Sequence, residues 1–514
     1  MRRRLLLLAL LCLAPAQAQA AWMVSSSPHF VVYADTNEKN LRRFSQQLER
    51  YDAAMAVITG LKRDVPSPSN RVTVYLVGSE DKVRKLYGLA NSKYIGGFYV
   101  PRAGGSIAII PTVDTSSSGE ADLSMIVLLH EYAHHFLISG SSFPSPKWLG
   151  EGAAEFFASA SFSSEGGVGL GRPANHRAAE LVYARDVTVL DLLDPDAYEK
   201  RRGKSKEYDA FYGKSWLLYH YLVFEPTRNG QLAAYAKGLM AGKSSLEAGR
   251  AAFGDLDKLE KELDKYELRP RLYAFNLKPA ALIIGQIDTR ILSAGEAAIL
   301  PVKIRSRRGV SDDAMAKAIL AEARAVAAKY PKDPAVLSEL AEALVDSNLD
   351  DEAIATANAA LALDPNNVDV LLQKGLAMFA KAEEADDRAK AYRAAREPFL
   401  AVNAIEHDHP LPLMYYYLSF VRAGIKPTAN AVAGLERATA LAPFDLGLRM
   451  MTAIQCLRDG KRDEARAYLL PVAYNPHGEG AAAKAREMIT RIDADPKWTG
   501  ADLGLGIEDT DAAD

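Results

Sequence analysis

The spacing of apolar residues divides this chain into regions. His29-Phe30-Val31-Val32-Tyr33 and Arg71-Val72-Thr73-Val74-Tyr75-Leu76-Val77 are short β-branched and aromatic runs. Ser106-Ile107-Ala108-Ile109-Ile110 is a third, following glycine pairs at Gly96-Gly97 and Gly104-Gly105. Runs of this kind bounded by turn residues predict strands. Between the first two, Asn37 to Gly60 carries Leu41, Phe44, Leu48, Tyr51, Met55 and Ile58 at helical spacing, which predicts an amphipathic helix. Two later helices read differently. Met125-Ile126-Val127-Leu128-Leu129 and Phe136-Leu137-Ile138 flank a polar sextet, so that helix is apolar nearly all round and is predicted to be buried. Pro146 to Phe157, with Trp148, Leu149, Phe156 and Phe157, predicts the start of a second buried helix.

The pattern changes after Ala281. Leu282-Ile283-Ile284, Arg290-Ile291-Leu292 and Ile299-Leu300-Pro301-Val302 are short apolar runs separated by Gly285 and Ser293-Ala294-Gly295. They predict a small β connector over 271–310. Alanine-rich helices follow. Pro331 and Pro365 are 34 residues apart, with Leu340-Ala341, Ala353 and Ala360 between them. This segment resembles a tetratricopeptide repeat, a helix pair that buries its core only by stacking on neighbours. Asp369 to Phe399, which carries an insertion, Leu413 to Pro443 and Asp445 to Pro476 resemble further units more loosely, giving roughly four over 311–495. Such arrays offer a concave surface to a protein or peptide partner; the alternative is that this one only caps and stabilises the preceding domain. The acidic end, within 496–514, is predicted to be disordered.

The candidate chemistry lies in the polar sextet His130-Glu131-Tyr132-Ala133-His134-His135. Residues i and i+4 share one face of a helix, so His130 and His134 can hold one zinc ion. Glu131 then sits where it can take a proton from a water. Two histidines and a glutamate on a buried helix need partners, and a metal provides them. Glu151 falls in the first turn of the second helix, where it can supply a third ligand and leave a fourth position open. Glu155, one turn on, can hydrogen-bond the far nitrogen of His130 and fix its tautomer. Taken alone, the two glutamates would read as solvated charges favoured by the helix dipole. His135 points about 100° from His134 on the helix wheel and reads as a packing residue.

H-E-x-x-H followed by W-L-x-E-G-x-A-E resembles the gluzincin metallopeptidases, and more closely the bacterial peptidase MA-like proteins. In those, H-E-Y-x-H-H-F, P-x-W-L-x-E-G-x-A-E and a later Y-x-x-S-W segment occur in that order; here they are His130 to Phe136, Pro146 to Glu155, and Tyr212 to Trp216. The resemblance covers roughly Ser26 to Glu267. It implies His130, His134 and Glu151 as ligands of one Zn2+ per chain, Glu131 as base and Glu155 behind the ligands; it does not imply the substrate, and a peptide or protein is the expectation for a peptidase. A tyrosine or histidine usually steadies the oxyanion in this group. Tyr212 is the candidate, with Tyr208, Tyr219, His220, Tyr221 and His176 as rivals; equally, Tyr212 belongs to the apolar face of a helix. Leu137 and Gly140 stand where a metzincin needs glycine and histidine. No carboxylate accompanies Gly96 to Pro101, which disfavours an aminopeptidase. The resemblance also makes Ser106 to Ile110 a candidate substrate platform, unless it is a plain inner strand.

Composition and the N-terminus complete the expectations. The formal net charge of −3 over 514 residues argues against a nucleic-acid partner. Arg2-Arg3-Arg4, the apolar run Leu5 to Leu13 and Ala18-Gln19-Ala20 form a signal-peptide pattern, too short to span a bilayer. Cleavage after Ala20 removes Cys12 and leaves Cys456, so no intrachain disulfide is expected. The expectation is an exported protein, periplasmic or secreted, with no membrane span. It comprises a signal peptide (1–20), an α+β zincin-like metallopeptidase domain of small sheet plus active-site helices (21–270), the connector (271–310), an all-α tetratricopeptide-repeat solenoid (311–495) and an acidic tail (496–514). The expected activity is that of a zinc peptidase, with a non-catalytic zinc-binding scaffold acting through its repeats as the alternative.

Overall fold

A computed structural model describes residues 22–62, 64–87, 97–111, 119–140, 143, 145–203, 208–475 and 479–503. The expected signal peptide, Gly96, Pro476 and positions 504–514 lie outside them. The strands are β1 (Trp22–Ser26), β2 (Phe30–Asp35), β3 (Val72–Leu76), β4 (Phe98–Val100), β5 (Ile107–Ile110), β6 (Gly119–Glu120), β7 (Ser161–Phe162), β8 (Val168–Leu170), β9 (Phe275–Leu277) and β10 (Asp288–Ile291). The six-stranded sheet runs β10-β1-β2-β3-β5-β4, with β2, β3 and β5 parallel and the outer pairings antiparallel. Strand residues alternate between faces. Phe30, Val32, Val74 and Ala108 share one core with the helices on that side. Tyr75, Ile107 and Ile109 share another on the opposite side. Because β5 lies between β3 and β4, Ser106 to Ile110 is an inner strand, and the edge beside it is β4.

Helix α1 (Glu38–Thr59) opens on Asn37, whose side chain accepts from the Asn40 amide. It closes at Gly60 in the left-handed region, φ 69°, where a side chain would be strained. Leu41, Phe44, Leu48, Tyr51 and Met55 are buried against the sheet. The remaining helices of this unit are α2 (Glu80–Tyr87), α3 (Leu123–Gly140), α4 (Lys147–Ala158), α5 (Ala178–Tyr183), α6 (Val189–Leu193), α7 (Pro195–Arg202), α8 (Phe211–Phe224), α9 (Gln231–Met240), α10 (Ser245–Phe253) and α11 (Leu256–Glu267).

The β connector expected over 271–310 differs in the structure. β9 joins β8 in the small second sheet, and β10 closes the edge of the large one. Leu282 to Ile284 form no strand, and Ala294–Arg308 is a helix, α12. Its start is a capping box: Ser293 accepts from the Glu296 amide, while the Glu296 carboxylate accepts from the Ser293 amide. A four-residue apolar run such as Ile299 to Val302 suits a strand or a buried helix equally, and the cap decides for helix. Leu300 and Ile304 cover the sheet face that carries Tyr75 and Ile109.

From α12 onward the chain is a stack of helices: α13 (Asp313–Ala327), α14 (Pro334–Asp346), α15 (Asp350–Leu363), α16 (Val368–Glu383), α17 (Arg388–Ile405), α18 (Pro410–Arg422), α19 (Ala429–Leu441), α20 (Leu446–Arg458), α21 (Arg462–Ala473) and α22 (Glu479–Ala494). Successive helices pack on one another, and α12, α14, α16 and α18 also touch in sequence, forming one continuous face. The array therefore begins at α12, ahead of the expected boundary at 311. The first part of the expected disordered tail is packed: Arg462 donates to the Trp498 carbonyl at 2.9 Å, and Arg491 lies over the Trp498 ring. Among the described residues, no helix is long and apolar enough to cross a membrane.

Candidate functional site

Three elements build the site. Helix α3 starts at Asp122, which accepts from the Met125 amide at 2.9 Å. It is gripped by α1 through Tyr51, donating to the Leu129 carbonyl at 3.1 Å, and through Asp52, accepting from the Tyr132 hydroxyl at 2.6 Å. Helix α4 is anchored by Trp148, fully buried, whose indole N–H donates to Tyr235 at 2.9 Å. It runs so close to α8 that a Cβ on Gly152 would lie 2.5 Å from the Ser215 carbonyl oxygen. Glycine at 152 thus sets how deeply Glu151 sits beneath α3.

Across that junction, His130 Nε2 and His134 Nε2 lie 3.2 Å apart, and Glu151 Oε2 lies 3.3 Å from the first and 3.4 Å from the second. These three distances decide whether the residues fit a metal. Ligands about 2.0–2.1 Å from a tetrahedral zinc stand about 3.3–3.4 Å from one another. The triangle matches that edge, and its donors, two imidazoles and a carboxylate, are of the type a catalytic zinc site uses. Burial disfavours a charged His130, yet its hydrogen bonds to Glu151 and Glu155 raise its pKa to about 10.

Glu155 is the hub behind His130. Its Oε1 lies 3.2 Å from His130 Nδ1 and accepts from Arg177 Nη2 at 2.5 Å. Its Oε2 lies 2.6 Å from His176 Nε2. Burial pushes the Glu155 carboxyl up, but these hydrogen bonds overcome it and hold the group well below the usual carboxylate range. Arg177 has no motif or spacing linking it to Glu155, and only the fold reveals it. Its guanidinium also stacks 4.9 Å from the centre of the Tyr212 ring.

Of the tyrosine and histidine candidates, Tyr212 has its ring centre 6.4 Å from that of His130. Burial, reinforced by Glu151, raises its hydroxyl pKa and keeps it protonated. The rivals are engaged elsewhere. His176 holds Glu155, and Tyr208 lies on the surface beside Arg177. His220 is buried between the Tyr266 hydroxyl and the Gly171 carbonyl, and burial lowers its pKa to about 4 despite the backbone contacts. Tyr221 donates to Glu262, and Tyr219 packs on Phe156. His135 turns to the Tyr99 hydroxyl, 2.7 Å from its Nδ1, and lies against the rings of Tyr132 and Phe444.

A second trio of metal-ligand types, His29, Glu49 and Asp52, is also clustered. Here His29 Nδ1 lies 2.8 Å from Glu49 Oε2, and the His29 amide donates to Glu49 Oε1 at 2.8 Å. Asp52 Oδ2 is 3.6 Å from the ring, and its other oxygen holds Tyr132. The two His29–Glu49 contacts are hydrogen-bond distances between partners that satisfy one another, and Asp52 is turned to Tyr132 instead.

No family model matches the chain, and no curated protein matches it. The solved structure of a thermophilic TPR protein from Thermus thermophilus is similar over 38% of this chain and 97% of that one, at 19% identity and a TM-score of 0.32. So loose a likeness carries no weight for fold or function.

Proposed function

We propose that this chain is an exported zinc-dependent peptidase, with His130, His134 and Glu151 as the metal ligands. The observation that carries the reading is the donor triangle, whose edges of 3.2 to 3.4 Å suit a tetrahedral ion. Export rests on the signal-peptide pattern of residues 1–20. A zinc ion held there would supply a Lewis acid that polarises a carbonyl and acidifies a water. Glu131, next to His130 on α3, accepts the proton of the attacking water and returns it to the leaving amine. The Tyr212 hydroxyl, kept protonated, donates to the oxygen that gains charge as the carbonyl is attacked. Glu155, locked as a carboxylate by His176 and Arg177, fixes the His130 ring with its Nδ1 proton inward and Nε2 free to bind.

The test uses the mature protein, its zinc content and cleavage of a casein or peptide pool. One zinc per chain is expected. Glu131→Gln should retain that zinc and lose activity about 10³-fold, as expected for removal of a general base. Undiminished cleavage by Glu131→Gln, or no bound zinc, would overturn the mechanism. Stoichiometric zinc without cleavage of any substrate would instead favour a zinc-binding scaffold.

A further inference from the structure

The repeat array packs directly against the candidate site. Besides the sheet face covered by α12, two segments of the N-terminal unit bind its later helices. In the first, Ser69 donates both its amide and its hydroxyl to the Glu406 carboxylate, each at 2.9 Å. The Asn70 side chain donates to the Leu441 carbonyl at 2.8 Å. In the second, the loop after edge strand β4, the Ala103 amide donates to Asp445 at 2.9 Å. Gly104 sits so tightly that a Cβ there would be 2.6 Å from Leu411. Beyond this loop, Phe444 lies with its ring centre 4.3 Å from that of His135, the residue after ligand His134. Ile138 of α3 joins the same apolar cluster as Phe444, Leu411 and Leu418.

These contacts converge on two elements beside the site, the helix α3 that carries His130 and His134 and the edge strand β4 that packs on it. His135 on α3 and Tyr99 on β4 are joined by a 2.7 Å hydrogen bond; the array touches His135 through Phe444 and, through Asp445, holds Ala103 in the loop that follows β4. A short edge strand and a helix end are elements that open readily when packed on one side only. We propose that the repeat array is a brace for the site, with Phe444, His135 and Tyr99 acting as positioning residues that hold β4 and the ligand-bearing turn of α3 in register. The face formed by α18 and the α19–α20 corner is thereby engaged by this chain's own loop 101–105, so this part of the array recruits no outside partner.

The consequence for metal binding rests on the zinc reading; the consequence for backbone opening does not. In the full-length mature protein, Phe444→Ala should raise amide hydrogen exchange at 98–103 and 133–138 about tenfold. It should speed zinc release to a chelator about three- to tenfold, less than the 10- to 100-fold effect of groups that touch a metal ligand directly, because Phe444 acts one residue further out. The control is Leu469→Ala, an equally buried position in the array that belongs to a separate cluster on α20 to α22. It should lower overall stability without changing exchange at 98–103 or zinc release relative to wild type. Phe444→Leu keeps apolar bulk but loses the ring contact, and should fall between wild type and Phe444→Ala; it serves if the alanine variant does not fold. Equal effects of the 444 and 469 changes, or no local effect of either 444 variant, would overturn the brace. If wild type binds no zinc, the peptidase reading fails while the exchange measurement still decides the brace.

Discussion

Two His–carboxylate clusters flank α3, built from the same kinds of side chain, and they differ in where their atoms point. In His130, His134 and Glu151, three donor atoms face a common centre at separations of 3.2 to 3.4 Å. In His29, Glu49 and Asp52, the ring and the Glu49 carboxylate have closed to 2.8 Å, and Asp52 has turned one oxygen to Tyr132. The first spacing leaves room for an ion at the focus; the second is a finished hydrogen-bond network. The network serves the site all the same, because Asp52 holds Tyr132 and so fixes α3 from the side opposite the ligands. Residue type alone does not separate a metal centre from a structural cluster. A common focus does.

The sharpest way to break this contrast is to remove one member from each cluster. Glu151→Ala should weaken zinc binding by more than a hundredfold, above the 10- to 100-fold range that groups behind a ligand command. Competition with a chromogenic chelator measures it. Glu155→Gln keeps shape but loses the charge that orients His130, and should weaken zinc about 10- to 100-fold with the fold intact. Glu49→Gln should leave zinc stoichiometry and affinity at wild-type values. It should lower stability to urea by about 1–3 kcal/mol, because glutamine keeps only one acceptor oxygen where His29 uses two. A loss of zinc in Glu49→Gln would erase the distinction between the clusters.

The smallest effect is on pH dependence. Burial raises the Glu49 carboxyl, but its hydrogen bonds with His29 outweigh this and hold it below its ordinary value of 4.5. A carboxyl depressed on folding adds stability that is fully present above the unfolded value and is lost as pH falls through the folded one. Wild type should therefore lose stability on acidification below about pH 4.5 more steeply than Glu49→Gln. Parallel urea midpoints of the two proteins down to pH 3 would contradict the assignment.

Much of this arrangement was legible in the residues. The i, i+4 pair His130 and His134 and the pair Glu151 and Glu155 follow from helical spacing alone. The buried face of α1, Leu41 through Met55, follows from the same period. What escaped was contact between distant segments. Arg177 reaches Glu155 from a short turn after β8 with no periodic signal. His135 read as a packing residue, but Phe444, the residue it packs on, is over three hundred positions away. The run Ile299 to Val302 was ambiguous between strand and helix until its cap and its burial against the sheet decided it. Ser106 to Ile110 was equally open until β4 took the edge.

The sequence by itself determined the local periods: which residues share a helix face, where helices are capped, and which side chains can converge on one turn. Backbone geometry enforces these within a few residues of one another, so they are readable without a fold. Tertiary structure alone decided the separation of the three donors, the grip of Arg177 on Glu155, and the seating of the repeats on β4 and α3. Those depend on how close one element approaches another, as Gly152 against Ser215 and Gly104 against Leu411 illustrate. Close packing of the whole chain sets such distances, and no local pattern encodes them.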